Sequence, residues 1–281
     1  EDYEKSGQIL SFTKSPNREL TFCPGCPHRA SYWSINRALT LNGENGFVCG
    51  DIGCYTMAIL PAGFGTIKTA HSMGSGTGVA SGFGKLKSFG MKQPVVSVCG
   101  DSTFFHAGMP ALVNAVHNSS DMLLVILDNS GTAMTGFQPH PGIPSGAAGN
   151  ELPSVDIEGI CRSIGAKTFT ADPFNVAETE KKVLEIIENE SGPRVLIMRQ
   201  GCALSPEKKG KKKYNVSVDS SICKGSDCGC NRLCTRVFRC PGLVWDSAAG
   251  KAVIDEIICA GCGGCADICP SGAIKRSEVV L

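Results

Sequence analysis

Apolar residues in this chain gather in short runs separated by longer amphipathic stretches. Phe47–Cys49, Val95–Val98, Met122–Leu127 and Val195–Met198 are too short for core helices and apolar but for Ser97, which predicts buried strands. His28–Leu39, Gly76–Phe89, His106–Asn118 and Asn175–Asn189 are longer and carry their apolar positions at helical spacing. Strands that alternate with helices in this way imply a doubly wound parallel α/β sheet.

The pattern fails at both ends. Residues 1–20 are polar and aperiodic, an expected extended lead-in. Residues 205–214 hold Lys208, Lys209, Lys211, Lys212 and Lys213 with Pro206 and Gly210, and read as a solvated linker. Helical periodicity stops there and cysteines become dense, so the chain divides near Lys213 into an α/β domain, 1–213, and a small module, 214–281. Hydrophobic residues at 42% and charged residues at 19% suffice for an ordinary core. A net charge of +1 gives no global field to argue for nucleic acid or a membrane surface. No apolar run reaches the length of a membrane span and no secretory signal is visible.

The 16 cysteines narrow the class. Most lie in tight clusters, which suit metal ligation better than disulfides, and thiolate ligands point to a reducing compartment, the cytoplasm. Cys259, Cys262, Cys265 and Cys269-Pro270 follow the spacing C-x₂-C-x₂-C-x₃-C-P of two-cluster bacterial ferredoxins. In that arrangement three close thiolates hold one 4Fe–4S cube and the fourth reaches the other cube. Gly261, Gly263 and Gly264 permit unusual backbone angles and bring amide N–H groups near the sulfurs. A zinc knuckle is the rival, and so compact a run followed by Pro suits it poorly. An imperfect copy precedes it: Cys223, Cys228, Cys230, Cys234 and Cys240-Pro241. Cys240 is expected to complete the cluster of Cys259, Cys262 and Cys265, and Cys269 that of Cys223 and Cys234. Either Cys228 or Cys230 supplies the remaining ligand. Residues 214–281 are therefore expected to be a ferredoxin-like module with two 4Fe–4S clusters.

A second chemistry lies upstream. Gly100-Asp101-Ser102 ends one apolar run, and Asn129, in Asp128-Asn129-Ser130-Gly131, ends the next. This resembles the thiamine diphosphate motif that opens Gly-Asp-Gly and closes on Asn. A diphosphate needs a divalent cation with hard oxygen ligands, and Mg²⁺ suits the Asp101 carboxylate, the Asn129 amide and the Gly131 carbonyl. Thr103 and the helix after it would turn N–H groups toward the phosphates. Ser102 replaces the usual glycine, which leaves the metal ligand intact and puts the local turn in question. Gly74, Gly76 and Gly78 do not complete a dinucleotide fingerprint and read instead as close helix packing.

Cys23-Pro24-Gly25-Cys26-Pro27-His28-Arg29, Gly50-Asp51-Ile52-Gly53-Cys54, Gly100-Asp101 and Met134-Thr135-Gly136-Phe137-Gln138-Pro139-His140-Pro141 extend the likeness over nearly the whole chain. In these segments the sequence resembles the large subunit of the indolepyruvate:ferredoxin oxidoreductases, within the 2-oxoacid:ferredoxin oxidoreductase superfamily. The resemblance implies oxidative decarboxylation of a 2-oxoacid to an acyl-CoA, with electrons passed through iron–sulfur clusters to ferredoxin. It implies a pyrimidine-binding domain carrying the activating glutamate, upstream in a longer chain or on a partner, and a smaller subunit, hence a hetero-oligomer. It implies a third, proximal 4Fe–4S cluster on Cys23, Cys26, Cys54 and Cys202, and a histidine near substrate or diphosphate, for which His71 is the candidate. His106 reads as a helix start, and His140 as a contact for substrate or partner. Cys49, Cys99 and Cys161 read as core. The lysine run has a second reading as a docking patch for an acidic partner such as ferredoxin. Two other functions remain open: an electron-transfer subunit without thiamine chemistry, and a non-redox thiamine decarboxylase.

Overall fold

The computed structural model describes residues 3–5, 7 and 19–279, apart from the side chain of Cys228. Most of the expected lead-in, 1–20, lies outside the described residues. Pro27–Asn42 forms helix α1, with Pro27 in its first turn, where a missing N–H costs nothing, and Gly43 closing it in a left-handed conformation. Six strands follow: β1 (Phe47–Gly50), β2 (Ile67–Ala70), β3 (Val95–Gly100), β4 (Met122–Asp128), β5 (Lys167–Ala171) and β6 (Pro193–Arg199). They form one sheet in the order β2-β1-β3-β4-β6-β5, and every neighbouring pair is parallel.

The four central strands are the apolar runs read from sequence. Every residue of β3 is buried, and so is Met122–Leu127 within β4, as expected of strands covered on both faces. Edge strands β2 and β5 were not predicted. Their exposed Lys68 and Lys167 interrupt the apolar signal, since an edge needs less burial. One apolar cluster lies between the sheet and α1 with Val183 and Ile186. The other lies between the sheet and Ala80, Phe104, Leu112 and Cys161. Cys49 and Cys99 are fully buried there too, so the three cysteines read as core are core residues.

Helix α2 (Ser75–Lys85) crosses β1 so closely that a Cβ on Gly76 would stand 3.0 Å from the carbonyl carbon of Gly50. Gly74 and Gly76 serve packing there, whereas Gly78, read with them, does not, since a Cβ on it would meet nothing within 4 Å. Helix α3 starts at Asp101, passes through a π-helical turn at Phe104–Gly108 and ends as Met109–His117. His106 therefore lies inside this helix and is exposed, not at its start. Helix α4 (Ile157–Ile164) was also unpredicted; Asp156 caps it by accepting the N–H groups of Glu158 and Gly159. Helix α5 (Val176–Asn189) packs beside α1.

Residues after Lys213 form two small antiparallel ribbons. β7 (Tyr214–Val218) pairs with β10 (Ile274–Glu278), and β8 (Leu243–Asp246) with β9 (Lys251–Ile254). They do not stand apart from the α/β part. A third apolar cluster joins Ala30 and Trp33 of α1 and Val176 of α5 to Phe238, Leu243 and Ile274. Trp33 meets both Phe64 and Phe238 edge-on at 5.6 Å. The lysine-rich segment is correspondingly no free tether. Lys208 donates to the Gln200 side chain and Lys212 to the Glu256 carbonyl, and the segment borders a cavity of about 560 Å³ with Phe174, Leu204, Ile257 and Ile258. Among the described residues no helix is long and apolar enough to cross a membrane.

Candidate thiamine diphosphate site and cysteine groups

Parallel strands carry their loops together at their carboxyl ends, and β3 and β4 deliver the predicted oxygen ligands to one such place. Asp101 begins α3 directly after β3 and is buried. Its Oδ1 accepts the Ser102 N–H at 2.8 Å, and its Oδ2 accepts the Gly131 N–H at 3.2 Å. Asp101 and Gly131 are thus tied together across the two strand ends. Asn129 is buried two residues before Gly131, and the Gly131 carbonyl accepts the Ala133 N–H at 2.9 Å and no other donor among the described residues, which leaves a lone pair for a cation. Ser102 sits in ordinary right-handed helix, so this turn has no need of a glycine.

His140 completes the cradle. Its Nδ1 accepts the Gly142 N–H at 3.1 Å, which assigns the ring proton to Nε2. Nε2 lies 3.2 Å from Asp101 Oδ2, yet it is not aligned for a hydrogen bond to that or any other described acceptor. A buried N–H without a partner is costly and unusual. A carboxylate, an amide oxygen, a free carbonyl lone pair and an unpaired N–H in one buried place suit Mg²⁺ with a phosphate oxygen, so the residues fit the group.

A second carboxylate was named in sequence only as part of a motif. Asp51 ends β1 as Asp101 ends β3, and these strands are adjacent, so the repeated Gly-Asp was the available signal. Asp51 is fully buried, which raises its carboxyl above the ordinary range, while a hydrogen bond from the Tyr55 hydroxyl and one from the Gly74 N–H at 3.1 Å pull the other way. The Tyr55 hydroxyl also meets Thr103 Oγ1 at 3.0 Å, joining the β1 end to α3. His28 is buried near this network; burial lowers its imidazole to about 4 against the pull of Asp101, so the ring is neutral at pH 7. His71 directly follows β2, three residues before Gly74, and is exposed.

The cysteines fall into groups. Burial raises the Cys54 thiol first, and the neighbouring Cys202 and Cys23 add to it; Cys202 likewise feels Cys23. Burial pushes Cys26 up to about 12, with Cys23 contributing. The four residues assigned to a proximal cluster thus share one neighbourhood. The Cys202 N–H donates to the Asn129 carbonyl at 3.0 Å, which links that neighbourhood to the oxygen ligands. A second group brings Cys240 to Cys259, Cys262 and Cys265: burial raises Cys265, and the other three act on it. In the third, burial raises Cys234, with Cys230 and Cys269 acting on it; Cys223 is half-buried. The Cys228 side chain lies outside the described residues. Among the described residues no three His, Cys, Asp or Glu side chains converge tightly enough to hold a single metal ion. The fit to clusters rests on the thiol donors and their grouping.

A family model described as "Thiamine pyrophosphate enzyme, C-terminal TPP binding domain" matches residues 51–198. The chain belongs to that family of thiamine diphosphate-binding domains. More particularly, over 92% of its length it is 42% identical to the indolepyruvate oxidoreductase subunit IorA of Methanothermobacter thermautotrophicus. That stretch is 40% of the relative, so the chain spans about two fifths of that protein's length. Over 21% of this chain it is 39% identical to an uncharacterized ferredoxin of Methanocaldococcus jannaschii, 90% of which is covered. The fold is shared with the 2-oxoglutarate:ferredoxin oxidoreductase of Magnetococcus marinus, at a TM-score of 0.53 and 20% identity over 66% of each chain.

Proposed function

We propose that this chain is the thiamine-binding and cluster-bearing part of a cytoplasmic 2-oxoacid:ferredoxin oxidoreductase, acting on an aryl pyruvate such as indolepyruvate and forming an acyl-CoA. The observation that carries this reading is the hydrogen bond from Cys202 to Asn129, which sets a group of four cysteines against the oxygen-ligand cradle. Bound thiamine diphosphate supplies a nucleophilic carbanion and an electron-rich centre after decarboxylation, and iron–sulfur clusters accept electrons singly.

The chain's residues divide the remaining work. Asp101, Asn129 and the Gly131 carbonyl hold Mg²⁺ against the diphosphate, Ser102 and Thr103 present the start of α3 to it, and His140 donates from Nε2. Tyr55 fixes Asp51 and Thr103 and keeps both strand ends in register. Cys23, Cys26, Cys54 and Cys202 hold the proximal cluster. Residues 214–281 act as a ferredoxin-like module, with one 4Fe–4S cluster on Cys240, Cys259, Cys262 and Cys265. The other lies on Cys223, Cys234, Cys269 and either Cys228 or Cys230. The pyrimidine-binding domain and a smaller subunit complete the hetero-oligomer, and ferredoxin takes the electrons. His71, exposed on the loop after β2, is the candidate histidine near substrate or diphosphate.

The test uses the complete oxidoreductase under anoxic conditions. Metal, sulfide and thiamine analysis is followed by addition of indolepyruvate and coenzyme A. Bleaching of the cluster absorbance with acyl-CoA formation is expected. Absence of thiamine diphosphate would make the chain an electron-transfer subunit, and decarboxylation without cluster reduction would make it a non-redox decarboxylase.

A further inference from the structure

Arg29 lies on α1 and is 2% exposed. Its Nη1 donates to the Phe238 carbonyl at 2.8 Å, and its Nη2 to the Phe22 carbonyl and, at 3.2 Å, to Thr21 Oγ1. Phe22 precedes Cys23, and Phe238 stands two residues before Cys240. The guanidinium also lies 5.7 Å from the Phe22 ring centre and 5.9 Å from that of Phe238. One side chain therefore clamps the flanks of two cysteine groups. The groups themselves abut: a Cβ on Gly25, between Cys23 and Cys26, would stand 2.6 Å from Ala260 Cβ, between Cys259 and Cys262.

Burying a guanidinium costs several kcal/mol unless an opposite charge compensates it. No described partner of Arg29 is a carboxylate. The groups that would act on it with opposite sign, once ionised as cluster ligands, are Cys240, Cys26, Cys23 and Cys262, two from each cysteine group. Its Nε–H is buried with no acceptor among the described residues. Carbonyl clamping alone does not call for a charge, because a neutral donor would serve.

We propose that Arg29 is a positioning residue that sits between the proximal and the inner ferredoxin-like cluster sites, shares its positive charge between both sets of thiolates, and so raises both reduction potentials. The inference rests on the function proposed above. An electron that leaves the Cys23/Cys26/Cys54/Cys202 centre and arrives at the Cys240/Cys259/Cys262/Cys265 centre oxidises the first and reduces the second by one unit. Arg29 keeps its proton throughout and stabilises the added electron on either side. Net charge and hydrogen bonds to sulfur are the protein's chief means of setting such potentials.

The test is potentiometric titration of the complete oxidoreductase followed by electron paramagnetic resonance, with iron counted first. Fewer than three clusters in the unaltered enzyme would refute the function proposed above before Arg29 is touched. In Arg29→Gln, with iron content unchanged, two of the three midpoint potentials are expected to become more negative, and that of the Cys223/Cys234/Cys269 centre to stay. Arg29→Lys keeps the charge but loses the Nε–H and the planar fork, and should shift the same two by less. Unchanged potentials at full iron, or an equal fall of all three, overturn the proposal. If Arg29→Gln does not load iron, Arg29→Lys is judged by the same criterion. If neither loads iron, Arg29 is a structural cross-link and the proposal fails.

Discussion

Asp101 has two jobs, holding the Ser102 and Gly131 backbones and offering oxygen to a cation. Asp101→Ala is expected to abolish thiamine diphosphate binding, read by calorimetry, while the iron content of the cysteine-rich part stays unchanged. Full cofactor affinity in that variant would show that the Gly100-Asp101 segment has been misread. Tyr55 is the other decisive residue, because its hydroxyl serves Asp51 and Thr103 together. Tyr55→Phe leaves a buried carboxyl short of a donor and should cost about 1–3 kcal/mol, measured as a lower denaturation midpoint. Asp101, Asn129 and the cysteines were legible because their chemistry demands a spacing along the chain. Asp51, His28 and Tyr55 were less so. Their roles arise from three-dimensional neighbours, and a lone Gly-Asp in sequence is more often a turn.

At the scale of elements, the sequence predicts whatever is buried on both sides. Strands β1, β3, β4 and β6 appear as apolar runs, whereas β2 and β5 are diluted by lysine and threonine at the sheet edges. Helix α3 was predicted to begin at His106 and in fact begins at Asp101. Apolar spacing marks the packed face of a helix, and its polar first turn at the strand end belongs to the site instead. Helix α2 offers a contrast within one element. A Cβ at Gly76 would press on the Gly50 backbone, but a Cβ at Gly78 meets nothing within 4 Å. Gly76→Ala should destabilise the fold by about 1–3 kcal/mol through overpacking. Gly78→Ala should stabilise it by up to ~1 kcal/mol through helix propensity. Thermal melts of the two variants check the difference; the same sign for both would contradict the close approach of α2 to β1.

The whole molecule departs most from what linear reading suggests. A lysine-rich segment looks like a tether holding a distant module, but the apolar cluster around Trp33 and Phe238 fastens that module to α1. The cysteine groups are consequently neighbours, and the proximal group can be tested separately. Replacing both Cys23 and Cys26 with Ser should remove about four iron atoms per chain and stop reduction by a 2-oxoacid. Chemical reduction of the remaining clusters by dithionite should persist. Unchanged iron would mean that Cys23, Cys26, Cys54 and Cys202 are only buried thiols. The bond from Arg29 to the Phe238 carbonyl has a further consequence, in time. Its partners are 209 residues apart in sequence. During synthesis at 5–20 residues per second, Arg29 is joined to the chain roughly 10–40 s before Phe238 is. Through that interval α1 carries a charge with no burial site, and the turn of Cys23 and Cys26 stays open to whatever delivers iron and sulfide.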